Sequence, residues 1–100
     1  MSPTVVRWDW DPYKAAQNIQ KHLVPMELAA AALEADKWHL SKLDTDAPEI
    51  RFKTLAMFGN VVLMIVHTEP EIERHSGEWV GRIVSARKAT PADRRAYHHG

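Results

Sequence analysis

Ile50-Arg51-Phe52-Lys53-Thr54-Leu55-Ala56-Met57-Phe58-Gly59-Asn60-Val61-Val62-Leu63-Met64-Ile65-Val66-His67-Thr68 is the stretch whose reading decides the fold. From Ile50 to Met57 the residues alternate. Ile50, Phe52, Thr54 and Ala56 fall on one side and Arg51, Lys53, Leu55 and Met57 on the other, which is strand periodicity. Gly59-Asn60 is a turn signal, so Val61–Thr68 returns as the second arm of a hairpin. Val61 to Val66 is unbroken apolar sequence, the composition of a central strand with both faces covered.

Working outward from the hairpin, Glu69–Glu78 reads as a polar, acidic loop with Pro70 and Gly77, and Trp79–Lys88 as another strand. Thr90-Pro91 with Asp93 starts a last helix, Thr90 being its N-cap. Upstream, Thr4–Trp10 is β-branched and aromatic and reads as a first strand. Asp11-Pro12 starts a helix through His22, with Asp as N-cap and Pro at the first helical position. Ala15, Ala16, Ile19 and Leu23 share its apolar face, and Lys14, Asn18, Lys21 and His22 a polar one. Pro25 ends this helix and opens an alanine-rich second one over Met26–Ala35. Lys37–Lys42 is a short strand candidate. The expected fold is therefore α+β: an antiparallel meander with two N-terminal helices and one C-terminal helix packed on it.

At 100 residues the chain is expected to form one domain over 1–100. Hydrophobic content of 45% and charged content of 26% are those of an ordinary globular protein. There is no cysteine, which removes disulfides and thiolate chemistry and fits a reducing compartment. The start of the chain has no signal-peptide pattern, and the longest apolar run is too short to span a bilayer, so a cytoplasmic location without membrane contact is expected. The 13 Lys and Arg balance 13 Asp and Glu, which argues against binding driven by overall charge alone. The local balance differs. Acidic residues crowd Glu27–Glu49 and Glu69–Glu78, whereas 81–100 carries Arg82, Arg87, Lys88, Arg94 and Arg95 against Asp93 alone.

Three pieces of sequence carry a resemblance. They are Trp10-Asp11-Pro12-x-Lys14-Ala15-x-x-Asn18-x-x-Lys21-His22-x-Val24; Val66-His67-Thr68-Glu69; and Arg82-Ile83-Val84-Ser85-Ala86-Arg87-Lys88-Ala89-Thr90, followed by Arg94 and Tyr97. In this order and spacing the chain resembles the BrnT toxins. The resemblance implies a RelE-like fold and a ribonuclease that arrests translation. It also implies neutralisation by a BrnA-like ribbon-helix-helix antitoxin, through which the complex would reach operator DNA. The chain departs from the family where Leu23 replaces a glycine after His22 and where Met26-Glu27-Leu28 replaces Phe-Glu-Glu. The Pro70–Glu78 loop is also longer and more acidic than usual.

Metal-free RNA cleavage needs a base at the 2′-hydroxyl, a cation at the phosphorane and a proton for the leaving oxygen. Arg82, Arg87 and Lys88 are the candidate cations, since guanidinium forks and ammonium groups match phosphate oxygens. In a regular strand Arg82 shares a side with Ala86 and Lys88, and Arg87 with Ser85. Arg82 and Lys88 are thus expected to face the groove, with Arg87 reaching substrate or capping the last helix. His22, His67 and Glu69 are the proton-transfer candidates; Glu69 is alternatively an orienting partner of His67 or an ion-pair partner of Arg82. Lys14, Asn18, Lys21, Arg51, Ser85, Arg94 and Tyr97 are candidate substrate contacts. Each has an ordinary alternative: solvated charge, a hydrogen-bonded buried histidine, or aromatic packing. The histidines lack metal-ligand spacing, and neither a metal nor a cofactor is expected. A toxin-like module that only binds antitoxin and co-represses, without cutting RNA, is the competing expectation.

Overall fold

A computed structural model describes residues 5–36 and 40–99. In chain order the elements are β1 (Val6–Asp9), α1 (Pro12–His22), α2 (Met26–Asp36), β2 (Leu40–Leu43), β3 (Arg51–Phe58), β4 (Val61–Thr68), β5 (Glu71–Ile72), β6 (Trp79–Lys88) and α3 (Pro91–His99). The α+β class and the order of helices and strands agree with the sequence reading. Thr4 and the first part of the Lys37–Lys42 candidate lie outside the described residues.

The hairpin forms in the expected register, Arg51 opposite Thr68 and Phe58 opposite Val61, closed by Gly59 at φ 64. The sheet order is β1-β6-β4-β3-β2, with β5 also on β6. Two expectations are corrected. The sheet is mixed, not wholly antiparallel, because β1 lies parallel to β6. Antiparallel pairing follows from short turns; β1 is instead followed by two helices and fills the edge of a strand remote in sequence. The acidic loop also holds a strand, β5, whose Glu71 and Ile72 pair with Val80 and Trp79.

The sheet has two unlike faces. On the covered face α1 and α2 pack over Ala56, Leu63, Ile65, Ile83 and Ala86, with Met26, Ala29, Ala32 and Leu33 supplied by α2. On the other face α3 covers only part, where Tyr97 joins Leu55, Val62 and Ala89. The remainder of that second face is open. The Tyr97 hydroxyl donates to Asp36 Oδ2 at 2.6 Å, and the same oxygen accepts the Met57 N–H at 2.9 Å. Burial, with the Asp36 carboxylate beside it, pushes the Tyr97 hydroxyl up to about 12. Among the described residues no helix is long and apolar enough to cross a membrane.

The helix ends follow the predicted chemistry. Asp11 Oδ1 accepts the Tyr13 N–H at 2.8 Å. At α3 Thr90 and Asp93 cap reciprocally: Thr90 N–H donates to Asp93 Oδ2 and Asp93 N–H to Thr90 Oγ1. The expected apolar face of α1 is buried only in part, through Ala15. Ile19 is 46% exposed and Leu23 75%, whereas Asn18, read as polar and outward, is 4% exposed. The edge of β6, rather than hydrophobicity, sets the rotation of this helix, as the Asn18 contacts below make plain.

Leu23 ends α1 in the left-handed region, φ 59 and ψ 30, its N–H donating to the Ile19 carbonyl. The departure from glycine has therefore kept the helix geometry at the expense of backbone strain. A left-handed L-residue costs roughly 1–2 kcal/mol, partly offset because glycine loses more entropy on folding. Leu23→Gly should stabilise the fold by about 1 kcal/mol, raising the thermal midpoint by roughly 4–8 °C in a calorimetric scan. An unchanged or lower midpoint would show that the exposed Leu23 side chain makes up for the strain.

Candidate active site

Strand β6 carries the sequence-predicted cations Arg82, Arg87 and Lys88 together with Ser85, and a β-bulge rearranges them. Val66 pairs with Ser85 and His67 with Ile83, so Val84 is an extra residue in β6. A bulge shifts the alternation by one position. Ile83, Ala86 and Lys88 lie opposite His67, Ile65 and Leu63, on the covered side. Arg82, Ser85 and Arg87 take the open side, with Ser85 and Arg87 opposite Val66 and Met64. The expectation that Arg82 and Lys88 share a groove is corrected: Arg82 shares the open face with Arg87, and Lys88 leaves it.

Register adds cations that alternation on one strand does not reveal. Arg51 lies opposite Thr68, Lys53 opposite Val66, and Lys42 opposite Lys53. Lys42, Arg51, Lys53, Arg82 and Arg87 thus come from three strands to one face. Glu49, in the loop before β3, lies among them. Its Oε1 accepts from Arg82 Nη2 at 2.5 Å, Arg51 Nη2 at 2.9 Å and Arg51 Nε at 3.0 Å. The Arg51 hydrogen bond, aided by the Arg82 charge, holds the Glu49 carboxyl below the usual carboxylate range.

Arg87 caps α3, one of the two roles expected of it. Its Nη1 donates to Asp93 Oδ2 at 2.7 Å and to the Lys88 carbonyl at 3.2 Å. Burial tends to raise the Asp93 carboxyl, but the Thr90 N–H and Arg87 outweigh it and set it low. Arg94 Nη1 donates to the Ala89 carbonyl. Tyr97 packs and bonds within the fold as described. Lys14, Lys21 and His22 are exposed on α1, which packs through Ala15 onto the covered side.

Beside Arg82 the surface sinks into a cleft of about 470 Å³, lined by Asp9, Glu49, Glu69, Glu71 and Thr68 above Ile50 and Val80. Asp9 is the register neighbour of Arg82 on β1. The Arg82 N–H donates to Thr68 Oγ1 at 2.9 Å, fixing β6 at the cleft wall. Part of the acidic charge is taken up elsewhere: Arg7 binds Glu78 at 2.6 Å, Glu73 at 3.3 Å and Asp9 at 3.4 Å, tying the β5–β6 connection to β1. Among the described residues no group of three or more His, Asp or Glu is placed to hold a metal ion.

His67 is wholly buried, so of its two readings the hydrogen-bonded buried histidine holds and the accessible acid or base does not. Its Nδ1–H donates to the Thr68 carbonyl at 3.0 Å. Nε2 then accepts the Thr54 hydroxyl at 2.6 Å, and Ser41 and Thr54 share a further bond at 2.8 Å. Trp8 meets the ring edge-on and Phe52 stacks on it. Burial lowers the His67 pKa, so the ring is held neutral. Both ring nitrogens are engaged, and Glu69 is not the group that orients them. Glu69 was also a possible partner of Arg82; Glu49 takes that place. The Trp8 indole packs against Gly81, where an added Cβ would come within 2.4 Å of it, so a side chain at this position on β6 would have to displace the indole.

Asn18 is the largest correction. It is buried, at 4% exposure, instead of facing solvent. Its Nδ2 donates to the Ala86 carbonyl at 2.8 Å and the Val24 carbonyl at 2.9 Å, while Oδ1 accepts the Ala86 N–H at 3.0 Å. β1 pairs with β6 only as far as Arg82. Beyond it, the Asn18 carboxamide bonds both backbone groups of Ala86 as a neighbouring strand would.

The sheet face and cleft define a small α+β domain whose open side gathers arginines suited to a phosphodiester chain, with carboxylates beside them. Sequence comparison agrees. The family profile described as ribonuclease toxin, BrnT, of type II toxin–antitoxin system matches residues 10–93, and the chain belongs to that family. Membership implies an RNA substrate and an antitoxin partner. Among curated proteins no match is found.

Proposed function

We propose that the protein is a metal-independent endoribonuclease that cuts RNA on the open sheet face, arrests translation in the cytoplasm and is neutralised by a BrnA-like antitoxin. The observation carrying this reading is the bulge at Val84, which turns Arg82 to the same face as Arg51 and Lys53. Two guanidinium groups that reach toward each other across β4, from β3 and β6, suit the non-bridging oxygens of one phosphodiester. Arg82 and Arg51 stabilise the phosphorane; Lys53, Lys42 and Arg87 guide the chain on either side. Of the three proton-transfer candidates, Glu69 lines the Arg82 cleft, His67 is sealed in the core and His22 ends a helix on the covered side. Glu69 is therefore our base. It takes the 2′-hydroxyl proton, the 2′-oxygen attacks the adjacent phosphorus, and the 5′-oxygen leaves with a proton from solvent. The products are a 2′,3′-cyclic phosphate and a 5′-hydroxyl. Lys14, Lys21, His22 and Lys88, on the other side, are assigned to the antitoxin surface. The likeness to RelE toxins and operator co-repression through the antitoxin belong to the same proposal.

The test is cleavage of purified RNA by the isolated protein with EDTA present, with both product ends mapped. Cleavage that leaves cyclic phosphate is the expected result. Loss of cutting in EDTA sinks the metal-free mechanism. One observation favours a second reading, a module that binds antitoxin without cutting: the carboxylates around Arg82 oppose a polyanion. Folded protein that cuts no RNA and causes no growth arrest when expressed alone would support it.

A further inference from the structure

The Arg51–Glu49–Arg82 contact is unlike an ordinary surface ion pair. Two guanidinium groups, from β3 and β6 with β4 between them, converge on a single oxygen, Glu49 Oε1. Convergent planar donors around one anionic oxygen are what a phosphate site presents. The side chains of Glu49 and Arg82 are 41% and 48% exposed, so water and ligand reach them; Arg51, at 23%, forms the fixed wall. Glu49 stands in the seven-residue connection between β2 and β3 rather than in the sheet, so it can withdraw without breaking a ladder hydrogen bond. Exposed ion pairs are weak enough to exchange with a stronger anion.

We propose that the Arg51–Arg82 fork is a phosphate-binding subsite, and that the Glu49 carboxylate is its built-in occupant, displaced when an RNA phosphodiester enters. This rests on the sheet-face reading above and adds that the free protein masks its own site. Three consequences follow. Removing the Glu49 charge strengthens binding of a polyanion, although loss of an ion pair by itself predicts no gain. The gain depends on Arg82. Two guanidinium groups released from Glu49 make binding more sensitive to salt.

The experiment measures binding of a short fluorescein-labelled DNA oligonucleotide by anisotropy, at two salt concentrations. DNA lacks the 2′-hydroxyl, so cleavage does not enter. Glu49→Gln should bind about threefold to tenfold tighter than wild type, with a steeper salt dependence. Glu34→Gln removes the same charge from an exposed position on α2 and should do much less. Adding Arg82→Ala to Glu49→Gln should erase the gain. Binding by Glu49→Gln no tighter than by Glu34→Gln, while Arg82→Ala still weakens the wild type, overturns the masking and leaves the sheet-face reading standing. Binding that is indifferent to Arg51→Ala and Arg82→Ala in every background overturns both.

Discussion

Arg82→Ala should reduce RNA cleavage by about 10²–10³-fold while leaving the protein folded. That is the usual loss when one preorganised donor to a developing anion is removed. Arg82 is about half exposed and contributes its backbone N–H, not its side chain, to the Thr68 contact. A substitution there should change stability by no more than about 0.5 kcal/mol. Lys88→Ala supplies the contrast. Regular alternation groups Lys88 with Arg82, and the bulge separates them, so Lys88→Ala should cut RNA nearly as well as wild type. Rates for both variants under single-turnover conditions decide the matter. Equal, large losses would mean that the substrate lies along the β6 edge rather than on the open face. Arg87→Ala is less informative, because its bond to Asp93 also holds the start of α3.

Asn18→Ala should be the most damaging substitution for stability that removes no hydrophobic packing. It leaves the Ala86 N–H, the Ala86 carbonyl and the Val24 carbonyl without partners, all in a buried setting. Each orphaned group costs about 1–3 kcal/mol, and partial access of water at the β6 edge lowers the sum to about 3–5 kcal/mol. A domain of this size has roughly 5–15 kcal/mol in total, so the variant should be close to unfolding. Urea unfolding with a common slope for both proteins reads the difference directly. Asn18→Asp is a sharper probe. It keeps the acceptor for the Ala86 N–H but sets a carboxylate against two carbonyl oxygens. It should be as damaging at neutral pH and recover in part as the carboxyl is protonated. A loss below about 1 kcal/mol in Asn18→Ala would show that this amide does not replace a strand.

The two substitutions also mark where sequence reading works and where it stops. The Gly59-Asn60 hairpin, the Asp11 and Thr90 caps and the helix break at Pro25 were all legible. Each depends on residues a few positions apart, whose steric and hydrogen-bonding preferences act locally. The three family pieces were legible for a related reason: they are contiguous strings. The faces of β6 were not. Alternation by two assumes an uninterrupted ladder, and nothing in Ile83-Val84-Ser85 marks Val84 as the extra residue; the pairing with β4 creates it. Asn18 was misread because a polar side chain in an amphipathic pattern is assigned to solvent by default, and for His67 the pattern left an accessible acid or base and a buried, hydrogen-bonded ring both open. Both are buried because specific partners across the fold satisfy them: the Ala86 edge for one, Thr54 and Thr68 for the other. Glu49 reads in the sequence only as the end of an acidic stretch, and becomes important only when β3 and β6 bring Arg51 and Arg82 around it.

The sequence by itself determined the elements apart from β5, their order, the caps and the family, because these rest on short-range stereochemistry and on the residues as a string. Tertiary structure alone decided that β1 is parallel, that Arg82 and Arg87 share a face without Lys88, and which polar groups are buried. Those outcomes depend on strand register and on hydrogen bonds between residues as far apart as Asn18 and Ala86, and no local pattern in the chain encodes the pairing that satisfies them.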